Sequence, residues 1–350
     1  MLDFAAMRAT LAGAYDLAPS MQLAEEMREI HARMDRVVPL ADFARHAPYI
    51  RAINRLKAEK NAVILAHNYM TPEIYHGVAD VVGDSLQLAI EATKVEAGTI
   101  VQCGVHFMAE TSKILNPAKR VLIPDMAAGC SLAESITAEG IATMRAQYPG
   151  APVVSYVNTT AEVKAASDIC CTSSNAAQIV AALPEETIIM TPDQYLAQNV
   201  ARQVPHKKVV WWAGSCIVHE QYTAEDITEF RKWNPDTRVI AHPECPPSVV
   251  AASDFSGSTS GIIDYVAREK PQKAMLVTEC SMASNISDAL PEVDFVGPCN
   301  MCPYMKKITL EKILWSLHTD GPEVFVAPEI AAKARIAVER MIELSRAVAK

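Results

Sequence analysis

The amino-acid sequence predicts an α/β protein made of three related units around a pseudo-threefold axis. A cysteine recurs every 86 residues, at Cys130, Cys216 and Cys302. Each unit also alternates short β-branched runs with helical stretches, which is typical of parallel strands covered by helices. We therefore expect three αβα three-layer domains with short parallel sheets, plus helices at the N and C termini.

The repeat extends into the helix that follows each cysteine. Cys130 is followed by Thr137, Glu139 and Ile141, and the other two cysteines are followed by the same residue types at the same offsets. A threonine that opens an apolar-periodic run is a typical helix N-cap. Each cysteine is therefore expected in a loop just before a helix. Units of this size bury little surface alone, so the three should pack against one another.

The same spacing predicts where the domains begin and end. We expect an N-terminal helical extension over 1–58, αβα repeats over 59–149, 150–235 and 236–322, and a C-terminal helix over 323–350 that packs back on the body. The junctions near 149–151 and 234–237 contain Pro149-Gly150 and Pro235-Asp236, which are turn-forming pairs. We expect these junctions to act as hinges.

Composition limits the classes of protein and partner. Of the 350 residues, 50% are hydrophobic and 21% are charged, as expected for a globular chain with a large core. The formal net charge of −9 argues against a general nucleic-acid binder, which needs clustered lysine and arginine. No stretch approaches the roughly 20 apolar residues of a membrane span, and no signal peptide is recognisable. We expect a cytoplasmic protein without a membrane partner.

Polar triplets follow the first apolar strand of each unit. They are His67-Asn68-Tyr69, Tyr156-Val157-Asn158 and His242-Pro243-Glu244. Ligands bind beyond the carboxyl ends of parallel strands, and residues i and i+2 of an extended segment point to the same side. We therefore expect the first and third residue of each triplet to face one central space. Histidine and tyrosine there would transfer protons, with Glu244 as the natural carboxylate base.

A helix is predicted to start downstream of each triplet, at Ser85, Ser173 and Thr259. Serine and threonine are common N-caps. A helix N-terminus also presents free amide donors and a partial positive charge, so three of them at one cavity would bind carboxylates or phosphate. An acidic protein can hold a small polyanion in this way without a basic patch.

The cysteines are the remaining repeated element. An odd number, nine, in a chain without a signal peptide indicates reduced thiols or metal ligands rather than a disulfide framework. Three repeated thiols could hold zinc or an iron–sulfur cluster, or be inert. Structural zinc normally uses local pairs of ligands, and only Cys299 and Cys302 form one. Three single cysteines fit a cubane cluster held at three corners, with one iron open to substrate as a Lewis acid.

A family resemblance follows from these segments. The sequence resembles quinolinate synthase in the segments HNYM, GDS, CGVHFMAETSKILNP, AGCS, YVN, TSSN, GSCIVHE, HPE, GSTS and CPYMK, from about Asn61 to Lys307. The resemblance implies condensation of iminoaspartate with dihydroxyacetone phosphate, with loss of phosphate and water, to give quinolinate for NAD biosynthesis. It also implies three pseudo-symmetric αβα domains around a 4Fe-4S cluster.

The resemblance assigns roles to individual residues. It implies that the cluster ligands are Cys130, Cys216 and Cys302, and that Tyr69 and Glu244 act in proton transfers with His242 beside them. It implies a substrate pocket lined by His67, Tyr69, Ser85, Tyr156, Asn158, Ser173, His242, Glu244 and Thr259. His219 is a weaker candidate for a supporting role. The instability of iminoaspartate predicts a functional link to an aspartate-oxidising enzyme.

One position departs from the family pattern, and two other functions stay open. Val296 stands where some members carry a cysteine before the Cys-x-x-Cys pair, which argues against thiol-based regulation through Cys299. The five cysteines without a repeated counterpart are interpreted as packing residues: Cys103, Cys170, Cys171, Cys245 and Cys280. The alternatives are a non-catalytic iron–sulfur sensor or electron carrier with Cys299 as fourth ligand, and a zinc-dependent aldolase or hydrolase.

Overall fold

A computed structural model describes residues 3–348 of the chain, with side chains to residue 346. Three four-stranded parallel sheets form its frame. All three have the same strand order, in which the first strand of the unit lies between the second and the third. The predicted α/β class with three αβα layers is thereby confirmed. The domain boundaries and the hinges stay predictions, and residues 1–2 and 349–350 of the terminal segments lie outside the described residues.

The first part of the described chain contains the N-terminal helices and the first sheet. The helices that precede the repeat are α1 (Phe4–Ala14), α2 (Met21–Glu26), α3 (Arg28–His31) and α4 (Leu40–Glu59). The first unit contains β1 (Ala62–His67), α5 (Pro72–Tyr75), β2 (Val81–Gly83), α6 (Ser85–Ala92), β3 (Thr99–Cys103), α7 (His106–Leu115), β4 (Arg120–Leu122), α8 (Ser131–Ser135) and α9 (Ala138–Gln147).

The second and third units repeat this alternation. The second contains β5 (Val153–Tyr156), α10 (Ala161–Ala165), β6 (Ile169–Cys171), α11 (Ala176–Ala182), β7 (Thr187–Thr191), α12 (Gln194–Gln203), β8 (Lys208–Trp211) and α13 (Ala224–Trp233). The third contains β9 (Thr237–Ala241), α14 (Pro247–Ala252), β10 (Phe255–Ser256), α15 (Thr259–Glu269), β11 (Lys273–Val277), α16 (Ser281–Ile286), β12 (Asp294–Phe295) and α17 (Leu310–Thr319). The helix α18 (Pro328–Val348) closes the chain.

The first strand of each unit lies inside its sheet and is buried on both faces. Ile64, Val154 and Ile240 occupy these strands and are fully buried. Such near-continuous apolar strands are typical of parallel sheets that helices cover on both sides. The terminal helices extend this packing, because α4 lies on α17 and α18 lies on α10 and β6. Within residues 3–348, the helices include none long and apolar enough to cross a membrane.

A carboxylate clamp recurs at the start of the first strand in each unit. In the second unit, Asp168 Oδ2 accepts hydrogen bonds from Val153 N at 2.7 Å and from Arg145 Nη2 at 2.8 Å. The aspartate thereby ties the strand to the helix that precedes it. The equivalent sets are Asp80 with Ile64 and Lys57, and Asp254 with Val239 and Arg231.

The helix caps agree with the sequence prediction at three positions and differ at three. Thr137, Thr223 and Thr309 cap α9, α13 and α17 as predicted. The predicted helix starts at Ser85 and Thr259 are confirmed, but the prediction that Ser85, Ser173 and Thr259 are themselves the caps is wrong. Asp84 and Ser258 cap α6 and α15, because their side chains accept the amide N–H three residues on. The helix α11 begins later still, after Asn175.

One packing cysteine has a different role. Cys280 forms a disulfide with Cys299, with Cα atoms 5.0 Å apart. The two segments meet because Glu279 and Asn300 form a parallel bridge beyond the ends of β11 and β12. This corrects both the interpretation of Cys280 as a packing residue and the expectation of reduced thiols throughout. Cys103, Cys170, Cys171 and Cys245 are free and buried, as predicted for packing residues.

Candidate active site

All three units contribute side chains to one cavity. The cavity lies where the first strand of each sheet ends, because His67 and Tyr156 end β1 and β5, and His242 follows β9. Its lining includes every predicted site residue: His67, Tyr69, Ser85, Cys130, Tyr156, Asn158, Ser173, Cys216, His242, Glu244, Thr259 and Cys302. The structure therefore brings the whole predicted set together. The roles assigned to these residues stay predictions.

Two histidines are held as neutral donors at the cavity wall. His67 Nδ1 accepts a hydrogen bond from Tyr69 N at 3.2 Å, and His242 Nδ1 accepts one from Glu244 N at 3.4 Å. A neutral ring whose Nδ1 accepts must carry its proton on Nε2. Burial lowers the pKa of His67 to about 4 and the pKa of His242 to about 3. At neutral pH each ring therefore offers one N–H to a ligand.

A threonine that the sequence analysis missed links the first unit to the second. The Tyr69 hydroxyl lies 2.5 Å from Thr278 Oγ1, and the same oxygen lies 2.9 Å from His219 Nε2. Thr278 directly follows β11, the third strand of its unit. Ligands bind beyond the carboxyl ends of parallel strands. Thr278 could therefore have been predicted by examining the residues after the third strand of each unit as well as those after the first.

Glu244 lies at the other end of this chain of contacts. Its Oε1 accepts a hydrogen bond from the Tyr156 hydroxyl at 2.5 Å. Its Oε2 lies 2.8 Å from His219 Nδ1, although the angle between the two groups is poor for a hydrogen bond. The ring of His219 stacks on His242 with centroids 4.6 Å apart. His219 is therefore part of the site and contacts the predicted base directly.

Glu244 is ionised, and burial together with its charge keeps the neighbouring tyrosines protonated. Burial raises its pKa, but the contacts with His219 and His242 and the Tyr156 hydroxyl outweigh burial, and the pKa falls below its usual value. Burial, followed by the charge of Glu244, raises the pKa of Tyr69 and of Tyr156 well above that of a free tyrosine. The site thus holds one carboxylate base between protonated tyrosines.

The three repeated cysteines share one local environment. Burial raises the pKa of Cys130 to about 12 and raises those of Cys216 and Cys302. A thiolate here therefore needs a cation beside it. Backbone N–H groups two and three residues after each cysteine oppose this rise, and they belong to Leu132, Ala133, Val218, His219, Tyr304 and Met305. Amide donors aimed at cysteine sulfur are typical of iron–sulfur sites.

A second set of donor atoms overlaps this one. Ligand atoms of Cys216, His219 and Glu244 lie within 4.8 Å of one another. A cysteine, a histidine and a carboxylate are also donors that zinc accepts. His219 Nε2 already contacts Thr278, and Glu244 Oε1 already accepts a hydrogen bond from Tyr156. Each side chain therefore has fewer atoms left to bind a metal ion.

Another part of the cavity wall has polar groups that are available to a ligand. Asn158 Oδ1 is buried and has no hydrogen-bond partner among the described residues. Ser85 and Thr259 are the first residues of α6 and α15, so the free amides of two helix starts lie at the cavity. Thr259 Oγ1 is held by Asn68 Nδ2 at 2.9 Å. This wall has the donors that an anionic substrate requires.

Comparison with known proteins decides the family. A family model described as NadA, quinolinate synthetase A protein, matches residues 51–343. The chain belongs to this family. The match includes all three units of the repeat and every residue of the candidate site named above.

Individual relatives in the quinolinate synthase family match most of the chain. The quinolinate synthase of Sinorhizobium medicae (strain WSM419) is 56% identical over 331 residues, which are 95% of this chain and 92% of the relative. That of Agrobacterium fabrum (strain C58 / ATCC 33970) is 57% identical over 315 residues, or 90% and 91% of the two chains. That of Caulobacter vibrioides (strain NA1000 / CB15N) is 57% identical over 302 residues, or 85% and 82%.

Proposed function

We propose that this member of the family catalyses the condensation of iminoaspartate with dihydroxyacetone phosphate to quinolinate, with loss of phosphate and water, in NAD biosynthesis. One observation carries the proposal: the three repeated cysteines line the same cavity as Tyr69, His219 and Glu244. Contacts link these three residues, from Tyr69 through Thr278 to His219 and from His219 to Glu244. A C–C bond-forming condensation followed by dehydration needs proton donors and a base around one electrophile. This cavity has both.

A 4Fe-4S cluster held by Cys130, Cys216 and Cys302 is part of the proposal. The donor set fits it, because three sulfur atoms with repeated amide partners line the cavity. Cys299 offers no fourth thiolate, since it is bonded to Cys280. When bound, such a cluster supplies an open iron that acts as a Lewis acid toward substrate oxygen. This arrangement argues against the sensor or electron carrier with Cys299 as fourth ligand.

The protein side chains then bind substrate and move protons. The Nε2–H groups of His67 and His242 donate to substrate oxygens, and the helix starts at Ser85 and Thr259 hold the phosphate. Glu244, ionised and buried, accepts a proton from carbon or nitrogen of the substrate. The Tyr69 hydroxyl donates a proton to a leaving oxygen and regains one through Thr278 and His219. General acid and base steps of this kind contribute about 10² to 10⁴-fold in rate.

A zinc-dependent aldolase or hydrolase is the second candidate, since Cys216, His219 and Glu244 lie close enough to bind one ion. The deciding experiment uses anaerobically purified protein. Quinolinate formation is measured with freshly generated iminoaspartate and dihydroxyacetone phosphate, and iron, sulfide and zinc are assayed on the same sample. We expect quinolinate, about four irons and no stoichiometric zinc. A full cluster without quinolinate would reopen the substrate assignment, and zinc in place of iron would overturn the mechanism.

A functional link to an aspartate-oxidising enzyme completes the proposal. Such an enzyme would supply iminoaspartate, which hydrolyses in water before it can accumulate. Adding the two proteins together should therefore raise quinolinate yield relative to separate incubation. The cytoplasmic location and the absence of a nucleic-acid partner stay predictions.

A further inference from the structure

An ion pair joins the fully buried Glu279 to the partly buried Lys306 next to the candidate site. The Glu279 side chain is fully buried, and its Oε1 lies 2.7 Å from Lys306 Nζ. Neither residue lines the cavity. Lys306 is the last residue of the CPYMK segment, and none of the steps proposed above uses it.

Glu279 connects two backbone segments through both of its oxygens. Oε1 accepts a hydrogen bond from Cys302 N at 3.3 Å, and Oε2 accepts one from Ser281 N at 2.9 Å. The carboxylate therefore holds the main chain of the Cys302 loop, the segment around Cys302 between β12 and α17, against the turn that follows β11. Both oxygens of the carboxylate have partners, as a buried charge requires.

Lys306 extends the connection to the first unit. Its Nζ donates to the Tyr69 carbonyl oxygen at 2.7 Å and to Ser281 Oγ at 2.7 Å. With Glu279 as the third partner, the three donors of the ammonium group are all used. Thr278, which holds the Tyr69 hydroxyl, directly precedes Glu279. Tyr69 is thus held at its carbonyl and at its hydroxyl by adjacent parts of the third unit.

A contribution to folding stability does not by itself explain why this ion pair is present. Replacing a buried ion pair with apolar residues is often neutral for stability, because desolvation of the charges offsets their attraction. The best-attested role of such pairs is to fix the register of packed segments. Here one segment is the Tyr69 loop, between β1 and α5, which carries a proposed proton donor. The other is the Cys302 loop, which carries a proposed cluster ligand.

We propose that the Lys306–Glu279 pair is a positioning element that fixes the Tyr69 loop relative to the Cys302 loop. This inference rests on the proposed function, which gives Tyr69 and Cys302 their roles. Displacing one reacting group by about 1 Å costs about 10²-fold in rate. The pair therefore acts on turnover through Tyr69, without contacting substrate.

The test compares Lys306→Met with Lys307→Met in the cluster-loaded protein. Lys307 is the matched control, because it adjoins Lys306 and its side chain makes none of the described hydrogen bonds or ion pairs. Its contacts are made by the backbone, from its N–H to Tyr304 O and from Lys312 Nζ to its carbonyl oxygen. We expect Lys306→Met to keep full iron and sulfide and an unchanged KM for dihydroxyacetone phosphate, with kcat lower by about 10²-fold. Lys307→Met should match the parent protein. Equal kcat in the two variants, or a loss of activity that only follows a loss of iron, would overturn the proposal.

Two further measurements keep the test decisive. If Lys306→Met does not fold, the double variant Lys306→Met/Glu279→Gln leaves no unpaired buried charge and must show the same loss of kcat. Amide hydrogen exchange at the Tyr69 and Cys302 loops needs no turnover, so it separates this inference from the proposed reaction. Exchange at both loops should be faster in Lys306→Met than in the parent protein, and unchanged in Lys307→Met. If the parent makes no quinolinate, equal exchange in Lys306→Met and the parent overturns the inference, and faster exchange at both loops supports it.

Discussion

Thr278 Oγ1 lies 2.5 Å from the Tyr69 hydroxyl, although 209 positions separate the two residues in the chain. The same oxygen lies 2.9 Å from His219 Nε2. One hydroxyl from the third unit therefore joins a tyrosine of the first unit to a histidine of the second. Because a hydroxyl both donates and accepts, it can pass a proton between them.

Replacement of Thr278 by valine should therefore slow the reaction. Valine keeps the shape of threonine but removes the oxygen that joins Tyr69 to His219. We expect kcat per cluster to fall by about 10²-fold, the lower end for loss of a proton-transfer group. Quinolinate formation under anaerobic conditions measures it. Thr278→Ser keeps the hydroxyl and is the control, so equal activity in the valine and serine variants would contradict the role of Thr278.

Replacement of a single repeated cysteine should remove the cluster. In Cys216→Ala we expect loss of the visible absorbance, of bound iron and of activity, because two remaining thiolates do not hold a cubane. Cys130→Ala and Cys302→Ala should behave in the same way. Cys280→Ala is the comparison, since Cys280 is bonded to Cys299 and does not line the cavity. A full cluster in Cys216→Ala would rule out the proposed ligand set.

Acid should destabilise the protein through its buried histidines. The pKa of His67 is about 4 and that of His242 about 3 in the folded chain, against about 6.5 in an unfolded one. Between these values the unfolded state binds more protons, so stability falls as pH decreases from 6.5 toward 4. From pH 7 to 5.5 we expect a loss of about 1 kcal/mol per histidine in the free energy of unfolding.

Urea unfolding of the metal-free protein at several pH values measures this effect. His242→Gln should reduce the pH dependence over the same interval, because one of the two side chains that must stay neutral is gone and only the contribution of His67 is left. The exposed His206 offers a control in His206→Gln, which should leave the dependence unchanged. A parent protein with equal stability at pH 7 and 5.5 would refute the assignment of neutral buried histidines.

The repeated carboxylate clamp should contribute to stability. Asp168→Ala leaves Val153 N at the start of β5 without its acceptor and frees Arg145. Loss of hydrogen bonds to a charged group costs about 1.5–3 kcal/mol. Thermal or urea unfolding measures the change, with Asp294→Ala at an exposed strand position as the control. Equal losses in the free energy of unfolding for the two variants would show that the clamp makes no measurable contribution to stability.

Much of the fold was predictable because it repeats. Three copies of one pattern fix the phase of each strand and helix, so the triplets and the repeated cysteines converge as expected. The cap prediction failed at Ser85 and Thr259 because a neighbouring Asp84 or Ser258 has the same capping chemistry one position earlier. Periodicity cannot separate two adjacent polar residues that can both cap a helix.

Contacts that do not repeat could not be predicted in the same way. The contacts of Thr278, Lys306 and Cys280 do not recur in the second unit, where Pro192, Glu220 and Gln194 stand at the 86-residue spacing. Glu279 does have a counterpart, because Asp193 is also buried and also accepts the backbone N–H two residues on. Each of the contacts that do not recur joins two segments that are distant in sequence, and the distance between the segments depends on the conformation of the loops that follow the strands. No local pattern in the sequence carries that information.

The sequence by itself determined the three-unit α/β architecture, the family and the residues that meet at the cavity. The physical reason is that strand ends in parallel sheets have a fixed side, so a repeated pattern specifies a shared space. Only the tertiary structure decided how those residues are connected. The protonation of His67 and Glu244, the bridge at Thr278 and the ion pair behind Tyr69 all depend on burial and on distances between units. Those quantities exist only when the three sheets are packed together.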